Sequence, residues 1–561
     1  MTELALKVEN LSVGFELDGG QVLAVNDVSF DLRRRETLAI VGESGSGKSV
    51  TARAIMQIAR PGRILSGAIR YFSPDGPVDI AQLDEKSAEI RAIRGNRIAM
   101  VFQEPMSSLS PVHRVGDQIV EAITLHQPVG RDEARRQAIE MLGRVHLPDP
   151  AQTIDKYTFE LSGGQRQRVM IAMALSCNPD ILIADEPTTA LDVTTQAEIL
   201  RLIKELQAEF GMSVIFITHD MGVVAEISDR VAVMYRGRLI EQGDVEQIFT
   251  APHADYTAQL VESSSKFRIK GDHARGGKLP SPGAETILEG HDINLTYRST
   301  SGFIRKKVKE LHALRDVSFD LRNGENLGIV GESGSGKTTL VKALLGLQAA
   351  HDGEAVYRSR DGREVNLLGQ DALRRNRLNT EIRMVFQDPF SSLNPRMTIA
   401  QIIEEPLLLE GRLDARERRE RTEYLLNKVG LPANIIGRYP HAFSGGQRQR
   451  ISIARALSVQ PRLIVADEAT SALDGSVRSQ VLDLMFELQA EFDLSYIFVG
   501  HDLGVVRYFC DRIAVMRLGE IVETGTARQI CEDPQHPYTR SLIAAVPGAS
   551  PAERRLFPRV A

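Results

Sequence analysis

The stretch Gly42-Glu43-Ser44-Gly45-Ser46-Gly47-Lys48-Ser49 is the most informative part of the sequence. It recurs almost unchanged as Gly331-Glu332-Ser333-Gly334-Ser335-Gly336-Lys337-Thr338. Each copy follows a short apolar run and precedes a helix-compatible segment, which is the context of a phosphate-binding loop, or P-loop. The glycines let backbone N–H groups converge on phosphate oxygens, the lysine reaches the β and γ phosphates, and the last hydroxyl binds magnesium. One copy could be a chance glycine-rich turn, but two copies in context predict two bound nucleotides. The candidate nucleotide-binding residues of the loops are Gly42, Ser44, Gly45, Gly47, Lys48 and Ser49, and Gly331, Ser333, Gly334, Gly336, Lys337 and Thr338.

An acidic pair ends an apolar run in each half, at Asp185-Glu186 and at Asp467-Glu468. The end of a parallel strand would place both carboxylates beside the P-loop. The aspartate can then hold magnesium through its water shell, and the glutamate can orient and polarise the water that attacks the γ-phosphate. The two pairs therefore predict ATP hydrolysis rather than nucleotide binding alone.

The composition limits the classes of protein that fit. A chain of 561 residues is too long for one core, and its 74 acidic against 68 basic residues give a formal charge of −6. No overall positive field exists to attract nucleic acid, so we expect no nucleic-acid partner. Cys177, Cys510 and Cys531 lack metal-ligand spacing, which is typical of a reduced cytosolic protein and predicts no iron–sulfur cluster.

No stretch of the sequence resembles a signal peptide or a membrane-spanning helix. The first residues, Met1-Thr2-Glu3-Leu4-Ala5-Leu6-Lys7, lack a basic region and an apolar core, so we expect that the protein is not exported. The longest apolar stretches, such as Val169 to Cys177, are half of the roughly 18 residues that a membrane span needs. Any membrane pore must therefore come from another chain.

The chain is a duplicated domain, because its internal offset far exceeds the roughly 20 to 50 residues of solenoid repeats. Lys337 follows Lys48 by 289 residues, and Asp467 follows Asp185 by 282 residues. The residues between the halves are rich in Ser, Gly, Lys and Pro, which is typical of a flexible linker. We therefore predict a first domain at residues 1–262, a linker at 263–284 and a second domain at 285–561.

The hydrophobic pattern predicts an α/β fold with two tandem P-loop NTPase domains. Each half opens with strand-like alternation, and short continuous apolar runs typical of a buried parallel β/α core follow, at residues 181–184, 214–217, 463–466 and 496–499. We therefore expect an antiparallel β subdomain and a parallel core in each half, with a charged helical subdomain between P-loop and acidic pair. Residues 416–421 mix charge signs at helical spacing, which favours a solvated helix face. The basic run 305–309 is interpreted as a solvated loop or helix, with contact to acidic lipid headgroups as the alternative.

A second glycine motif lies between the P-loop and the acidic pair of each half, as Leu161-Ser162-Gly163-Gly164-Gln165 and Phe443-Ser444-Gly445-Gly446-Gln447. Both motifs are helix N-termini suited to an anion. A half that already has one phosphate cradle needs another only if the second serves a nucleotide held by the other half, which predicts composite sites. On these motifs the chain resembles the ABC-transporter ATPase family (ABC ATPases), and the resemblance covers nearly all of both halves.

The resemblance implies that ATP lies between the P-loop of one half and the signature motif of the other, so that Lys48 works with Ser444 and Lys337 with Ser162. The catalytic candidates match the glutamate after the strand, the Q-loop glutamine and the switch histidine of the family: Glu186, Glu468, Gln103, Gln387, His219 and His501. The magnesium candidates are Ser49, Gln103, Asp185, Thr338, Gln387 and Asp467. The signature candidates that bind nucleotide are Ser162, Gly163, Gly164, Ser444, Gly445 and Gly446.

Other family positions match less completely. Phe15 and Tyr297 match the aromatic that stacks on adenine, although strand aromatics are often core residues. Residues 190–192 and 472–474 match the D-loop, which couples the two sites. Ala469 replaces the family's usual proline, and Gly500 stands where the first half has Thr218. Both candidate glutamates are present, so neither site is expected to be degenerate.

Two further features indicate the branch of the family. Residues 102–111 and 386–395 resemble the extended Q-loop of peptide and nickel importer ATPases. The tail at residues 534–542 resembles the His-Pro-Tyr extension of that branch, and residues 252–257 keep part of it. Two such domains in one chain resemble the fused ATPase subunits of microcin C or glutathione type peptide importers.

This resemblance implies an energy-coupling subunit of a binding-protein-dependent importer for oligopeptides, with ATP and Mg²⁺ as its ligands. Its partners would be two integral-membrane permease subunits and, through them, an extracytoplasmic substrate-binding protein. It would lie peripherally on the cytoplasmic face of the bacterial inner membrane.

Three other functions remain as alternatives. Tandem ABC proteins that act on ribosomes carry Asn-His-Leu-Asp, where this chain has Thr189-Ala190-Leu191-Asp192 and Ser471-Ala472-Leu473-Asp474. A sugar-importer ATPase is disfavoured by the His-Pro-Tyr tail. DNA-repair relatives are disfavoured because large insertions and zinc cysteines are absent from the sequence.

Overall fold

The computed structural model describes residues 3–17, 20–104, 108–189, 191–267, 283–301, 307–369, 372–388, 391–471 and 473–557. The chain forms two compact units. Unit 1 comprises Met1–Ser264 together with Pro547–Ala561, and unit 2 comprises Ser265–Val546. The chain therefore leaves unit 1 after Ser264 and returns to it at Pro547.

The limits of the units differ from the predicted domain boundaries at the C-terminal end. The prediction placed all of 285–561 in the second domain, whereas Pro547–Ala561 belong to unit 1. At the other boundary, unit 1 ends within two residues of the predicted limit at 262. Residues 268–282 of the predicted linker lie outside the described residues. The boundaries 1–262, 263–284 and 285–561 thus remain predictions for the domains.

Unit 1 begins with strands and then alternates strands with helices. Its strands are β1 (Leu4–Leu17), β2 (Gly20–Arg33), β3 (Thr37–Val41), β4 (Arg63–Ser73), β5 (Gly76–Asp79), β6 (Ile98–Val101), β7 (Ile181–Asp185), β8 (Ser213–Thr218), β9 (Arg230–Tyr235) and β10 (Arg238–Asp244). Its helices are α1 (Lys48–Ile55), α2 (Ala88–Ile93), α3 (Val115–His126), α4 (Arg131–Arg144), α5 (Pro150–Thr153), α6 (Gly163–Leu175), α7 (Val193–Phe210), α8 (Met221–Ile227), α9 (Val245–Thr250) and α10 (Asp255–Ser265), the last of which ends one residue inside unit 2. Short 3-10 helices lie at Ile80–Gln82, Thr158–Glu160 and Pro551–Glu553.

Unit 2 repeats this order. Its strands are β11 (Thr286–Ser301), β12 (Lys307–Arg322), β13 (Asn326–Val330), β14 (Asp352–Arg358), β15 (Glu364–Asn366), β16 (Ile382–Val385), β17 (Leu463–Asp467), β18 (Ser495–Gly500), β19 (Arg512–Arg517) and β20 (Glu520–Thr526). Its helices are α11 (Lys337–Leu344), α12 (Ala372–Arg375), α13 (Ile399–Glu410), α14 (Ala415–Lys428), α15 (Gly445–Leu457), α16 (Gly475–Phe492), α17 (Leu503–Phe509), α18 (Ala527–Glu532) and α19 (Pro537–Ala544). Short 3-10 helices lie at Leu378–Thr380, Ala433–Ile435 and Pro440–Ala442.

Each unit contains one antiparallel and one mainly parallel sheet. In unit 1 the antiparallel order is β2-β1-β4-β5, and the six-stranded order is β10-β9-β3-β8-β7-β6, in which β10 alone runs antiparallel to its neighbour. Unit 2 has the matching orders β12-β11-β14-β15 and β16-β17-β18-β13-β19-β20. The predicted α/β class with two tandem P-loop domains, each with an antiparallel β subdomain and a parallel core, is therefore confirmed.

The parallel strands form because their apolar runs are buried on both faces. Every residue of β3, β7 and β8 is buried, which is the pattern of a central strand covered by helices on each side. In each unit the P-loop follows a central strand, β3 or β13, and the acidic pair lies at the end of its second neighbour, β7 or β17. The carboxyl ends of these parallel strands meet at one edge of the sheet, and this geometry positions the candidate site.

The helical subdomains lie between these elements. In unit 2, α13, α14 and α15 pack on one another around buried Ile, Leu and Val side chains. Residues 416–421 lie in α14, as predicted. The basic run was predicted as loop or helix, but residues 307–309 belong to strand β12, so that prediction was wrong there, and residues 305–306 lie outside the described residues. Among the helices of the described residues, none combines the length and apolar content that crossing a bilayer requires.

Candidate nucleotide-binding and hydrolysis sites

The lysine of the first P-loop forms hydrogen bonds with the backbone of the same loop. The ammonium of Lys48 donates hydrogen bonds to the carbonyl oxygens of Gly42 at 2.7 Å and of Glu43 at 2.9 Å. Gly42, Gly45 and Gly47 have φ angles of 149°, 78° and 99°, which side chains rarely adopt. Helix α1 begins at Lys48, so the loop presents the N-terminus of a helix and a buried ammonium to a phosphate.

Oxygen ligands suited to magnesium lie beside this loop. The hydroxyl of Ser49 donates a hydrogen bond to Oδ1 of Asp185 at 2.9 Å. Burial raises the pKa of Asp185, whose side chain is almost fully buried, and the bond from Ser49 opposes this rise only in part. A buried carboxylate and a neighbouring hydroxyl are hard oxygen donors, and a divalent cation would compensate the charge that burial disfavours. The residues present therefore fit Mg²⁺.

Three side chains converge on the carboxylate of Glu186. Gln103 donates its amide to Oε2 at 3.0 Å, and Thr189 donates its hydroxyl to the same oxygen at 2.9 Å. Nδ1 of His219 lies 3.1 Å from Oε1. Because an ionised carboxylate only accepts, Nδ1 carries the proton, and Nε2 remains the ring atom that can face a phosphate.

The same contacts keep Glu186 ionised. Burial alone would raise its pKa, but the hydrogen bonds from His219 and Thr189 and the positive charge of Lys48 oppose it, and the pKa lies below its usual value. Glu186 also has a φ of 48°, in the left-handed region that costs a residue with a side chain about 1–2 kcal/mol. Its backbone N–H donates to the carbonyl of Ile217 at 2.9 Å and so holds this turn against β8. Strain of this kind is typical of functional positions.

Unit 2 builds an equivalent cluster around Glu468. Gln387 donates to Oε2 at 2.7 Å, and Nδ1 of His501 lies 3.3 Å from Oε1. Glu468 has a φ of 46°. Burial would raise its pKa, but His501, Lys337 and Gln387 together outweigh burial and lower the pKa below its usual value. The ammonium of Lys337 donates to the carbonyls of Gly331 at 2.7 Å and Glu332 at 2.8 Å.

The two clusters differ at their hydroxyl groups. The Ser471 hydroxyl donates to the backbone carbonyl of Glu468, whereas its counterpart Thr189 donates to the Glu186 carboxylate. Within the described part of the chain, no hydrogen bond joins Thr338 to Asp467. Burial, followed by the nearby charge of Glu468, raises the pKa of Asp467 to about 6. The donor set of unit 2 nevertheless has the same chemistry as that of unit 1.

The signature serines are helix N-caps. Ser162 accepts from the backbone N–H of Gln165, and the Gln165 side chain accepts from the backbone N–H of Ser162, which closes a capping box at the start of α6. Ser444 and Gln447 repeat it at the start of α15. Each hydroxyl uses one lone pair in the cap and keeps a proton that it can donate to a phosphate oxygen. The pairing of Lys48 with Ser444 and of Lys337 with Ser162 remains a prediction.

The adenine-stacking candidates lie in the antiparallel sheets. Phe15 is half-buried in β1, and its ring lies against Gly62. Tyr297 lies in β11 and is 37% exposed, enough to offer a ring face. Ala190 and Ala472 of the D-loops and residues 105–107 and 389–390 of the extended Q-loops lie outside the described residues.

The tyrosines of the C-terminal extensions contact the P-loops, which the sequence did not predict. The hydroxyl of Tyr256 accepts from the backbone N–H of Glu43 at 3.0 Å. That of Tyr538 accepts from the backbone N–H of Glu332 at 3.1 Å. The repetition of both tyrosines at the offset of 282 residues was the available signal, but it gave no partner.

Two family models match the chain. The ABC transporter model matches residues 25–189 and 314–471. The model of the oligopeptide/dipeptide transporter C-terminal region matches residues 240–289 and 522–560, and so covers both extensions. The partial His-Pro-Tyr pattern of the first half thus belongs to a recognisable copy of that region.

Curated relatives match over nearly the whole chain. The glutathione import ATP-binding protein GsiA of Escherichia coli O157:H7 is 49% identical, over 98% of this chain and 90% of its own length. The protein of the same name from Escherichia coli K12 is 48% identical over the same shares. A solved dimeric ATP-binding cassette in a post-hydrolysis state, bound to ADP and Pi, is 30% identical and covers 43% of this chain and 99% of that chain, with a TM-score of 0.38. The family models and the relatives agree, and the chain belongs to the ABC transporter family.

Proposed function

We propose that the chain is the ATP-binding and ATP-hydrolysing subunit of an ABC importer for oligopeptides. The observation that carries the proposal is the repeated cluster in which a glutamine and a histidine hold an ionised glutamate beside a P-loop, at Glu186 and at Glu468. The match of both extensions to the oligopeptide/dipeptide transporter region, and the import function named for the relatives, support the peptide class.

The residues of each cluster divide the work of hydrolysis. The P-loop N–H groups and Lys48 bind and orient the phosphates of ATP, and Ser49, Gln103 and Asp185 would hold magnesium. Mg²⁺ bound there would neutralise charge on the phosphate oxygens. The Glu186 carboxylate accepts a hydrogen bond from the attacking water and orients it in line with the γ-phosphate. His219 keeps that carboxylate in place through Nδ1 and turns Nε2 towards the phosphate.

The composite arrangement belongs to this proposal. Lys48 would work with Ser444, and Lys337 with Ser162, so that each ATP lies between the P-loop of one half and the signature motif of the other. Closure of the halves on ATP and their reopening after hydrolysis would move the coupling helices of the partner subunits. Those partners are two integral-membrane permeases and an extracytoplasmic binding protein, with this chain at the cytoplasmic face of the bacterial inner membrane.

The hydrolysis test replaces both glutamates. Glu186→Gln combined with Glu468→Gln keeps the shape of the sites, and we expect it to bind ATP but to lose steady-state hydrolysis. The matched control is Glu205→Gln with Glu487→Gln, two exposed helix positions with the same offset of 282 residues. Hydrolysis by the first variant at the wild-type rate would show that the catalytic assignment is wrong.

The partner test is co-purification from the native organism. The proposal predicts that hydrophobic integral-membrane proteins accompany the tagged chain in mild detergent. Co-sedimentation with ribosomes would instead favour the alternative class of tandem ABC proteins and contradict the importer.

A further inference from the structure

Residues 548–557 bind a fully buried glutamate on the helix that follows the switch histidine of unit 1. Glu226 lies on α8 with no exposed side-chain surface. Its Oε1 accepts the backbone N–H groups of Gly548 at 2.7 Å and Arg555 at 2.8 Å. Its Oε2 accepts those of Leu556 at 3.0 Å and Phe557 at 3.4 Å. These four N–H donors stabilise the buried carboxylate, which would be costly to bury without hydrogen-bond partners.

Arg554 adds a second contact between this segment and α8, in which the side chain belongs to the segment and the backbone to the helix end. Its guanidinium donates to the carbonyl oxygens of Ala225 at 2.7 Å and Ser228 at 2.8 Å, at the C-terminal end of α8. These carbonyls lack partners within their own helix, and a cation there also favours the helix dipole. Pro547 and the carbonyl of Gly548 lie against Gly222, where an added Cβ would come within 3.3 Å and 3.5 Å of them. The C-terminal segment, residues 547–557, therefore contacts both ends of α8.

Helix α8 follows His219 directly. Asp220 caps it by accepting from the backbone N–H groups of Gly222 at 2.8 Å and Val223 at 3.4 Å. Any rotation or shift of α8 thus moves the residue before the cap, and His219 Nδ1 is bonded to Glu186. Helix α8 therefore connects the C-terminal segment to the Glu186 cluster through Asp220 and His219.

The C-terminal segment continues from an element that contacts the other P-loop. Helix α19 in unit 2 begins at Pro537, and its Tyr538 hydroxyl accepts from the P-loop N–H of Glu332. The chain then passes from Val546 in unit 2 to Pro547 in unit 1. The extension is therefore divided, with Tyr538 bonded within unit 2 and residues 547–557 packed within unit 1.

Unit 2 has a related contact made by the segment that follows α10. The ring centroid of Phe267 lies 5.6 Å from that of Tyr508 on α17. The carbonyl oxygen of Phe267 lies against Gly504, since a Cβ added at Gly504 would be only 2.1 Å from this oxygen. Gly504 and Tyr508 stand 282 residues after Gly222 and Glu226. In both units a segment thus contacts the helix that follows the switch histidine. In unit 1 this helix supplies a buried carboxylate to the contact, whereas in unit 2 a tyrosine stands at the equivalent position.

We infer that Glu226 is a positioning residue for His219: by binding the backbone of the C-terminal segment it fixes α8, and thereby the histidine that stands two residues before that helix. The inference rests on the proposed hydrolytic function of the His219 cluster. This inference assigns a role to residues 547–557 of the extension, which belong to unit 1 although the preceding part of the extension belongs to unit 2.

The test compares two neighbouring arginines of the C-terminal segment in the full chain. Arg554→Ala removes the bonds to the carbonyls of Ala225 and Ser228. Arg555→Ala keeps the backbone N–H that binds Glu226 and removes a side chain that makes no hydrogen bond within the described residues. Glu226→Gln is the third variant. Hydrogen–deuterium exchange is measured at residues 548–557 and 221–228, and kcat and KM for ATP are measured on the same samples below the unfolding temperature.

We expect Arg554→Ala and Glu226→Gln to raise exchange in both segments and to lower kcat by roughly 2- to 30-fold, the range for coupled residues that do not touch the ligand. KM for ATP should stay unchanged, because neither side chain lies at the P-loop, and Arg555→Ala should behave as the wild type. If Glu226→Gln does not fold, Arg554→Ala alone carries the test.

Two outcomes would overturn the inference. Raised exchange with unchanged kcat would mean that the segment is only a structural clip. Unchanged exchange at 548–557 in Arg554→Ala would mean that Arg554 does not hold the segment. Failure of the proposed function is a different result, because it would appear as wild-type hydrolysis by Glu186→Gln with Glu468→Gln and would leave the exchange data unaffected.

Discussion

Replacing Gly42 with alanine should cost far more stability than replacing Gly45, although both lie in the first P-loop. Gly42 has a φ of 149°, and an added Cβ would lie 2.2 Å from the carbonyl oxygen of Met234 and 2.8 Å from the hydroxyl of Ser46. Gly45 has a φ of 78°, and an added Cβ there would meet nothing within 4 Å. Comparing the two variants therefore distinguishes the stability cost of steric overlap with the backbone from the cost of the strained φ angle alone.

The expected magnitudes follow from these geometries. Strain of about 1–3 kcal/mol and overlap of about 1–3 kcal/mol give a loss of roughly 2–6 kcal/mol in the free energy of unfolding for Gly42→Ala. Strain alone gives about 1–2 kcal/mol for Gly45→Ala. Gly331→Ala should repeat the larger loss in unit 2, since its added Cβ would lie 2.2 Å from the carbonyl of Met516.

The assay is urea unfolding without nucleotide, so that contacts with phosphate do not contribute. The chain contains no tryptophan, and helix content by circular dichroism at 222 nm is the suitable signal. The transitions of the two units must be resolved before free energies are compared. Equal losses for Gly42→Ala and Gly45→Ala, within about 0.5 kcal/mol, would refute the packing argument.

Two further predictions concern pH and thiol reactivity. Burial would raise the pKa of Glu241, but the backbone N–H groups of His253 and Ala254 outweigh it and lower the pKa to about 2. The stability that the ionised Glu241 contributes is complete above its unfolded pKa of about 4.5 and is lost as the pH falls towards 2. Glu241→Gln should therefore lower the free energy of unfolding in urea by roughly 2–3 kcal/mol at pH 7 and by about half as much at pH 3. A loss of stability that does not change with pH would contradict this prediction. Burial raises the pKa of all three thiols, that of Cys531 to about 12 and that of Cys510 well above its usual value. A thiol reagent should first label Cys177, because Cys177 is only partly buried whereas the other two are buried. All three thiols should react in urea, and rapid labelling of Cys510 or Cys531 in the native chain would show that their surroundings open.

The sequence predicted the local elements well because their patterns are local. The apolar run at residues 181–184 became β7, and the run at 214–217 became β8, each longer than predicted by one residue or two. Gln103, Glu186 and His219 come together because each follows or flanks a strand of one parallel sheet. Their chemical roles remain proposals, and the geometry supports them.

The sequence predicted both extensions but not their contacts, because these contacts join residues far apart in the chain. Glu226 in a short helix has the pattern of a solvated charge, yet it is buried by residues more than 300 positions away. Tyr538 carried a family resemblance but no local signal for its bond to Glu332. The basic run 305–309 was assigned to loop or helix because its charges obscured the alternation of β12, whose partner strand supplies the hydrogen bonds.

Counting bound ATP shows whether each ATP is shared between the P-loop of one half and the signature motif of the other half. In a chain with Glu186→Gln and Glu468→Gln, ATP retained per chain is measured by rapid filtration after Lys48→Ala is combined with Ser444→Arg or with Ser162→Arg. If the sites are shared in this way, Lys48→Ala with Ser444→Arg damages a single site and retains about one ATP per chain. Lys48→Ala with Ser162→Arg then damages both sites and retains none. The reverse pattern, with ATP retained by the Ser162→Arg combination and lost by the Ser444→Arg combination, would contradict it.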